Sequence, residues 1–98
     1  IYWMDVWRQF MTITVIIEAK VTDFEEWIVM FNNLEEQRQT AGIYFKAYQN
    51  QDTPNTSFVL GTVPSKEAFL EFFNSPERVK IQQTLITEMP KVTFLKSV

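Results

Sequence analysis

Residues 12–34, which read TITVIIEAKVTDFEEWIVMFNNL, decide the fold of this chain. In the first ten of these residues apolar and polar side chains largely alternate, which is the period of a β-strand with one buried face. After Thr22 and Asp23 the apolar side chains recur every three or four residues, as on a helix that buries one stripe. The change of period predicts a strand followed directly by an amphipathic helix, with Thr22 or Asp23 as its cap. The expected buried strand face is Ile13, Val15, Ile17, Ala19 and Val21, and the expected helix stripe is Phe24, Trp27, Ile28, Phe31 and Leu34.

The rest of the chain repeats this order of elements with a hairpin between the two halves. Ala41-Gly42 is expected to end the first helix, because glycine suits a left-handed helix end. A second helix is expected to open at Pro64-Ser65, with the stripe Ala68, Phe69, Phe72 and Phe73, and to restart at Ser75-Pro76. The pattern of residues 79–86 fits either helix or irregular chain. The remaining predicted strands are Ile43–Asn50, the apolar run Phe58-Val59-Leu60 after the turn QDTPN, and Lys91–Val98.

The predicted order is therefore β-α-β-β-α-β, the split βαβ or ferredoxin-like arrangement of an α+β domain. Right-handed crossovers place the first and third strands at the centre of a four-stranded antiparallel sheet, with both helices on one face. The other face is left open, and it carries apolar and aromatic side chains. They are Ile16, Tyr44 and Tyr48, with Phe58, Leu60 and Leu95 as further members. Such a patch predicts a homodimer through the open sheet face.

The composition bounds the classes of function. The chain has 98 residues, 46% of them hydrophobic, and a formal net charge of −3, which gives no broad positive field for nucleic acid. It has no cysteine and no histidine, so thiolate chemistry, the commonest metal ligands and the commonest general base are missing. No apolar run approaches the roughly 20 residues of a membrane span. We expect a cytoplasmic protein without a metal site, with no nucleic-acid or membrane partner.

Two segments are expected, an aromatic extension at residues 1–10 and one domain at residues 11–98. Trp3, Trp7 and Phe10 recur at helical spacing in the extension, and Met11 could be the native start. Tyr2, Trp3 and Trp7 are expected to dock on the domain or on a neighbouring chain.

Three short stretches in this framework resemble the antibiotic biosynthesis monooxygenase-like group of dimeric α+β barrels, over about residues 12–98. They are Asp23-Phe24-Glu25-Glu26-Trp27, Asp52-Thr53-Pro54-Asn55 before Phe58-Val59-Leu60, and Ser65-Lys66-Glu67-Ala68-Phe69 with the later Asn74-Ser75-Pro76-Glu77. These stretches coincide with turns and helix caps, so they bear on the fold more than on activity. The resemblance implies a dimeric α+β barrel.

The chain departs from this group at two places. Members commonly carry Glu-x-Trp after the third strand and a histidine in the helix before Ser-Pro, where this chain reads Gly61-Thr62-Val63 and Glu71-Phe72-Phe73. The haem-degrading branch relies on that histidine, so neither haem nor another cofactor is expected here. Cofactor-free oxygenation of an aromatic or polycyclic substrate stays open, because it would use Trp, Tyr and Asn side chains to stabilise an enolate-like anion.

Five side chains are candidates for a ligand pocket. Tyr44, Lys46 and Tyr48 project from one strand face, where they would hold an anionic ligand or cover a dimer interface. Glu18 is expected on the same face, as a pocket residue or in an ion pair with a neighbour. Trp27 would form an aromatic pocket wall, although its place on the helix stripe favours core packing.

Three hypotheses for function follow. The first is a small-molecule binding protein without catalysis, and the second is a cofactor-independent monooxygenase-like enzyme with its site between sheet and helices. The third is a dimerisation or protein-interaction module that uses the aromatic N-terminal segment. The sequence leaves open whether the chain is an enzyme.

Overall fold

The computed structural model describes residues 12–96 and 98. The predicted extension at residues 1–10 and the start at Met11 lie outside the described residues. The elements are β1 (Ile13–Lys20), α1 (Phe24–Asn33), α2 (Glu35–Thr40), β2 (Tyr44–Gln49), β3 (Thr56–Val63), α3 (Lys66–Phe73), α4 (Pro76–Leu85) and β4 (Lys91–Leu95). None of the helices in this part of the chain combines the length and hydropathy needed to cross a membrane.

The strands form a single antiparallel sheet in the order β2-β3-β1-β4. The first and third strands therefore lie at its centre, as the crossover rule predicts. This arrangement confirms the α+β, ferredoxin-like class. β3 is longer than its apolar run because Thr56 and Ser57 continue the pairing with β1, whereas β4 ends at Leu95, before the predicted end at Val98.

The buried face of β1 is the predicted one. Val15, Ile17 and Ala19 are no more than 6% exposed. Val15 and Ile17 pack with Val59 and Val63 of β3 in one apolar cluster, and Trp27, Phe31 and Phe69 complete that cluster from the helices. The helix layer therefore covers this face of the sheet, and no described element covers the opposite face.

The first helical region is two helices, where a single helix was predicted. Asp23 caps α1, since its carboxylate accepts hydrogen bonds from the backbone N–H groups of Glu25 (2.9 Å) and Glu26 (3.4 Å). The helix breaks at Leu34, directly after Asn32-Asn33. Asparagine side chains compete with the backbone for hydrogen bonds and have low helix propensity, which accounts for a break at this place.

The end of α2 is a Schellman motif, in which the last carbonyl groups of a helix accept from residues beyond it. Gly42 has the left-handed φ of 79° that this motif requires. The N–H of Gly42 donates to the carbonyl of Gln39 (3.0 Å), and the N–H of Ile43 donates to that of Arg38 (2.9 Å). These bonds fix the backbone of Arg38 at the point where the chain turns into β2.

The second helical region follows the predicted caps. Ser65 caps α3, with its hydroxyl accepting from the N–H of Ala68 at 3.1 Å. The chain restarts at Pro76 as α4, for which Ser75 is the cap position without a side-chain hydrogen bond. Residues 79–85, which the sequence left as helix or irregular chain, are helical, but no residue of α4 is buried.

Candidate functional site

The candidate site is a partly open cavity of about 100 Å³ between the sheet and the helix layer, which we call the sheet–helix cavity. β1, β2 and β3 form its floor with Ile17, Ala19, Phe45 and Val59. Aromatic residues of α1 and α3 form much of its wall. The lining includes only three polar side chains among the described residues, namely Arg38, Arg78 and Gln82.

The wall is built from aromatic pairs that the helix period places one turn apart. Trp27 and Phe31 of α1 stack with their ring centres 5.3 Å apart, and Phe69 and Phe73 of α3 stack at 5.2 Å. The ring of Phe45 from β2 meets Phe69 edge-on at 6.1 Å. Because residues four apart on a helix share one face, each pair presents a continuous apolar surface to the cavity.

Arg38 is a buried charge among the residues that line the cavity. Its side chain is 5% exposed, and its guanidinium carbon lies 3.7 Å from the centre of the Phe31 ring. Nη2 of Arg38 is buried without a hydrogen-bond partner among the described residues. An unsatisfied buried donor costs about 1–3 kcal/mol, and more when it is charged. The position of Arg38 therefore calls for a physical reason.

Arg78 brings a second guanidinium to the same cavity from the first turn of α4. Its carbon lies 4.3 Å from the centre of the Phe72 ring, and its Nη2 donates to the side-chain oxygen of Gln37 at 3.0 Å. This bond links α4 to α2 across the helix layer. The third polar group, Gln82, already donates through Nε2 to the carbonyl of Phe73 at 3.0 Å.

The two arginines bring two positive charges to the residues that line the cavity. Burial lowers the pKa of Arg38, the charge of Arg78 lowers it further, and Glu35 acts in the opposite direction. Burial also lowers the pKa of Arg78, against the effect of Glu77. An arginine remains charged at neutral pH in spite of such shifts. Within the described chain the one ion pair joins Lys20 and Glu88 at 3.6 Å, so neither arginine has a carboxylate at ion-pair distance.

The structure separates the residues that the sequence singled out. Tyr44, Lys46, Tyr48 and Glu18 all lie on the open face of the sheet, and Trp27 alone lines the sheet–helix cavity. Strand alternation turns the side chains of Tyr44 and Tyr48 away from the helices, so neither lines the sheet–helix cavity. A ligand pocket that uses them, between subunits, stays a prediction.

The open face carries the predicted side chains in three cross-strand rows. Leu60 and Ile16 are neighbours at the centre, Tyr48 stands beside Phe58, and Tyr44 and Leu95 lie at the two edges. Tyr44 and Tyr48 are 59% and 45% exposed. Lys46 lies over the ring of Tyr48, with 5.4 Å between Nζ and the ring centre, and Glu18 is opposite Lys91.

A groove of about 290 Å³ adjoins β2 on the other side of Arg38. Glu35, Gln39, Tyr44 and Lys46 line it together with Arg38. Ile43, Phe45 and Leu60 complete its lining, so Arg38 lines both this mixed groove and the apolar sheet–helix cavity. Among the described residues no three acidic side chains are grouped as a metal site would require.

The sequence interpretation missed both arginines. One signal for Arg38 was available, because it follows Phe31 by seven residues and Leu34 by four, and so continues the apolar stripe of the first helical region. A charged residue on a buried stripe is the kind of exception that marks a site. Arg78 gave no such signal, since α4 has no apolar stripe.

No protein-family model and no curated protein matches the chain. Solved structures do match it. A conserved protein from Methanosarcina mazei Go1 has a TM-score of 0.74 at 13% identity, over 95% of this chain and 99% of that one. A candidate antibiotic biosynthesis monooxygenase from Nitrosomonas europaea has a TM-score of 0.71 at 15% identity, over 90% and 91%.

A further structure, of an antibiotic biosynthesis monooxygenase, has a TM-score of 0.66 at 14% identity, over 88% of this chain and 98% of that one. Identities this low carry the fold and leave the activity open. They confirm the resemblance read from the sequence at the level of architecture. The chain therefore has the ferredoxin-like α+β fold of the antibiotic biosynthesis monooxygenase-like proteins.

Proposed function

We propose that this chain binds a small, largely apolar molecule in the sheet–helix cavity. The observation that carries the proposal is a partly open space of about 100 Å³, walled by aromatic rings, between the sheet and the helix layer. Protein interiors are otherwise packed like organic crystals. Apolar wall groups without packing partners forfeit dispersion contacts, which a ligand of matching shape would restore.

The size of the cavity limits the ligand. A cavity of about 150 Å³ lined by aliphatic and aromatic side chains accommodates benzene. The space here is smaller but partly open, so a single ring or a short branched chain can occupy it and extend into its opening, whereas a fused ring system cannot. Trp27 lies in the wall, so its fluorescence would report occupancy directly.

Binding can be tested by tryptophan fluorescence in a Trp3→Phe/Trp7→Phe background, in which Trp27 is the only tryptophan. We expect single-ring compounds to change the emission of Trp27 saturably. Ala19→Ile places apolar bulk in the cavity and should abolish the response. Thr14→Ile is the matched control, because it makes a similar change on the opposite face of the same strand. The proposal would be overturned if Ala19→Ile and Thr14→Ile gave the same fluorescence response. It would also be overturned if none of the single-ring compounds bound.

A cofactor-independent monooxygenase is the second candidate function. The names of two structural neighbours support it, as do the two arginines among the residues that line the cavity, whose positive charge would stabilise an enolate-like anion. Its test is oxygen consumption with single-ring hydroquinones, compared between the wild-type chain and Arg38→Met. If the wild-type chain binds these hydroquinones but consumes no oxygen, the monooxygenase function is wrong and the non-catalytic binding function stands.

We also propose that two copies pair through the open sheet face. Support comes from the central apolar neighbours Ile16 and Leu60, and from the exposed Tyr44, Tyr48 and Leu95 around them. A partner at the aromatic segment, residues 1–10, is the competing arrangement, and that segment lies outside the described residues.

A further inference from the structure

The sheet–helix cavity combines two features that rarely occur together. Its wall is almost entirely apolar, yet Arg38 and Arg78 from separate helices are among the residues that line it. Each guanidinium group is supported by an aromatic ring, Arg38 by Phe31 at 3.7 Å and Arg78 by Phe72 at 4.3 Å. A ring face beneath a guanidinium leaves its edge, where the N–H donors are, directed to other partners.

The charges around these arginines leave them without full compensation. The charge of Glu35 raises the pKa of Arg38 and that of Glu77 raises the pKa of Arg78, but neither carboxylate is at ion-pair distance. The two positive charges also repel each other through the low-dielectric core. Nη2 of Arg38, on a side chain that is 5% exposed, has no hydrogen-bond partner among the described residues.

We infer that the ligand of this cavity is a carboxylate with a single apolar ring, and that Arg38 and Arg78 hold the carboxylate between them. This inference rests on the proposed function of the same cavity. The carboxylate satisfies Nη2 of Arg38 and removes the repulsion between the two guanidinium groups. The ring packs against Trp27 and Phe69 in the apolar part of the cavity.

Other ligand classes fit these groups less well. A neutral ligand leaves both arginines uncompensated, and a cation adds a third positive charge. A carboxylate matches the planar guanidinium and accepts two parallel hydrogen bonds from it. A larger polyanion such as a nucleotide exceeds the space of about 100 Å³.

The two arginines have different parts in this arrangement. Arg38 is buried, and its backbone is fixed by the Schellman motif at the end of α2, so it is a preformed anchor. Arg78 is half-buried on a helix without buried residues and is linked to α2 through Gln37. The bound carboxylate therefore adds a second link between α4 and α2, beside the hydrogen bond from Arg78 to Gln37.

The test uses phenylacetate and its neutral isostere phenylacetamide as probes, with Trp27 as the reporter in the full chain carrying Trp3→Phe/Trp7→Phe. We expect phenylacetate to bind at least about tenfold more tightly than the amide, since charge-assisted hydrogen bonds are about twice as strong as neutral ones. Arg38→Met and Arg38→Gln should each abolish this preference, and Arg78→Met should reduce it. Lys80→Met, which removes a positive charge from an exposed site on α4, should leave the preference unchanged.

The outcomes separate the inference from the proposed function. If both probes bind equally and Ala19→Ile abolishes both, the cavity binds ligands and the carboxylate inference is wrong. If Lys80→Met reduces the preference as much as Arg38→Met, the effect is one of overall charge and the inference is again wrong. If neither probe binds and no neutral ring compound does, the proposed function fails and the inference fails with it. Melting curves of each variant establish that it is folded before binding is compared.

Discussion

The charge of Arg38 lowers the stability of the fold, while the proposed ligand would use the same charge for binding. Burial disfavours the charged form of the guanidinium in the folded chain, and its pKa is lowered for that reason. The unfolded chain keeps the ordinary pKa of arginine. The charge at Arg38 therefore lowers the free energy of unfolding at every pH below the lowered pKa, and at neutral pH this effect is present in full. A bound anion that accepts a hydrogen bond from Nη2 of Arg38 would offset this cost.

We predict that Arg38→Met raises the free energy of unfolding by about 1 kcal/mol, since an apolar replacement for a buried charge is often stabilising. Methionine keeps a favourable sulfur contact with the ring of Phe31. Urea unfolding at neutral pH measures the change, which should be constant across the neutral range. The exposed Lys80→Met should stay within about 0.5 kcal/mol of the wild-type chain. A clear loss of stability in Arg38→Met would show that the arginine supports the fold.

Gly61 is a second position where one residue determines local packing. A Cβ at this position would meet the carbonyl oxygen of Tyr44 and would stand 2.6 Å from a ring carbon of Phe45. The missing side chain therefore lets β2 and the ring of Phe45 lie close over β3, next to the cavity floor.

We predict that Gly61→Ala lowers the free energy of unfolding by about 1–3 kcal/mol, the usual cost of overpacking a close contact. Thr62→Ala, one residue along on the open face, is the control and should have a much smaller effect. Thermal unfolding followed by circular dichroism measures both. An unchanged melting temperature for Gly61→Ala would contradict the close approach of β2 to β3.

At the scale of elements, the sequence predicted those features of strands and helices that depend on residues close together in the chain. The period of two in β1 put Val15 and Ile17 in the core and Ile16 on the open face, because alternation follows from strand geometry alone. The break at Leu34 was missed because an apolar stripe continues through it. The meeting of Arg38 and Arg78 was not predictable, since it depends on the tertiary approach of α2 and α4, as in the bond between Gln37 and Arg78, 41 residues apart.

α4 is the helix with the weakest attachment, and this has a measurable consequence. It buries no residue, whereas α1 buries Trp27 and Phe31. Elements with few buried apolar contacts open most easily, so we predict faster amide hydrogen exchange in α4 than in α1. Phenylacetate should slow the exchange of α4 selectively, because the bound carboxylate joins Arg78 to Arg38. Phenylacetamide is the control, and equal slowing by both probes would show that α4 responds to filling of the cavity and not to the anion.

For the whole molecule, the open face is the surface that a second copy would need to cover. Strands about 4.8 Å apart with about 3.3 Å per residue give the four strands a face of roughly 430 Å² in projection. Side-chain relief adds to this figure, which brings the face towards the roughly 800 Å² per partner of a standard interface. The tyrosines at its edge belong to the residue types enriched in interfaces.

We predict that Leu60→Lys converts a wild-type dimer into a monomer, because it places a charge at the apolar centre of the face, next to Ile16. Light scattering coupled to size-exclusion chromatography measures the mass. Val29→Lys is the matched control, since Val29 is 58% exposed on α1, on the helix side of the molecule. Ala19→Ile should also keep the dimer, because its change lies within the sheet–helix cavity. If a chain without residues 1–10 remains dimeric, the pairing is through the sheet. If that shortened chain dissociates, or if the wild-type chain is itself a monomer, pairing through the open face is contradicted.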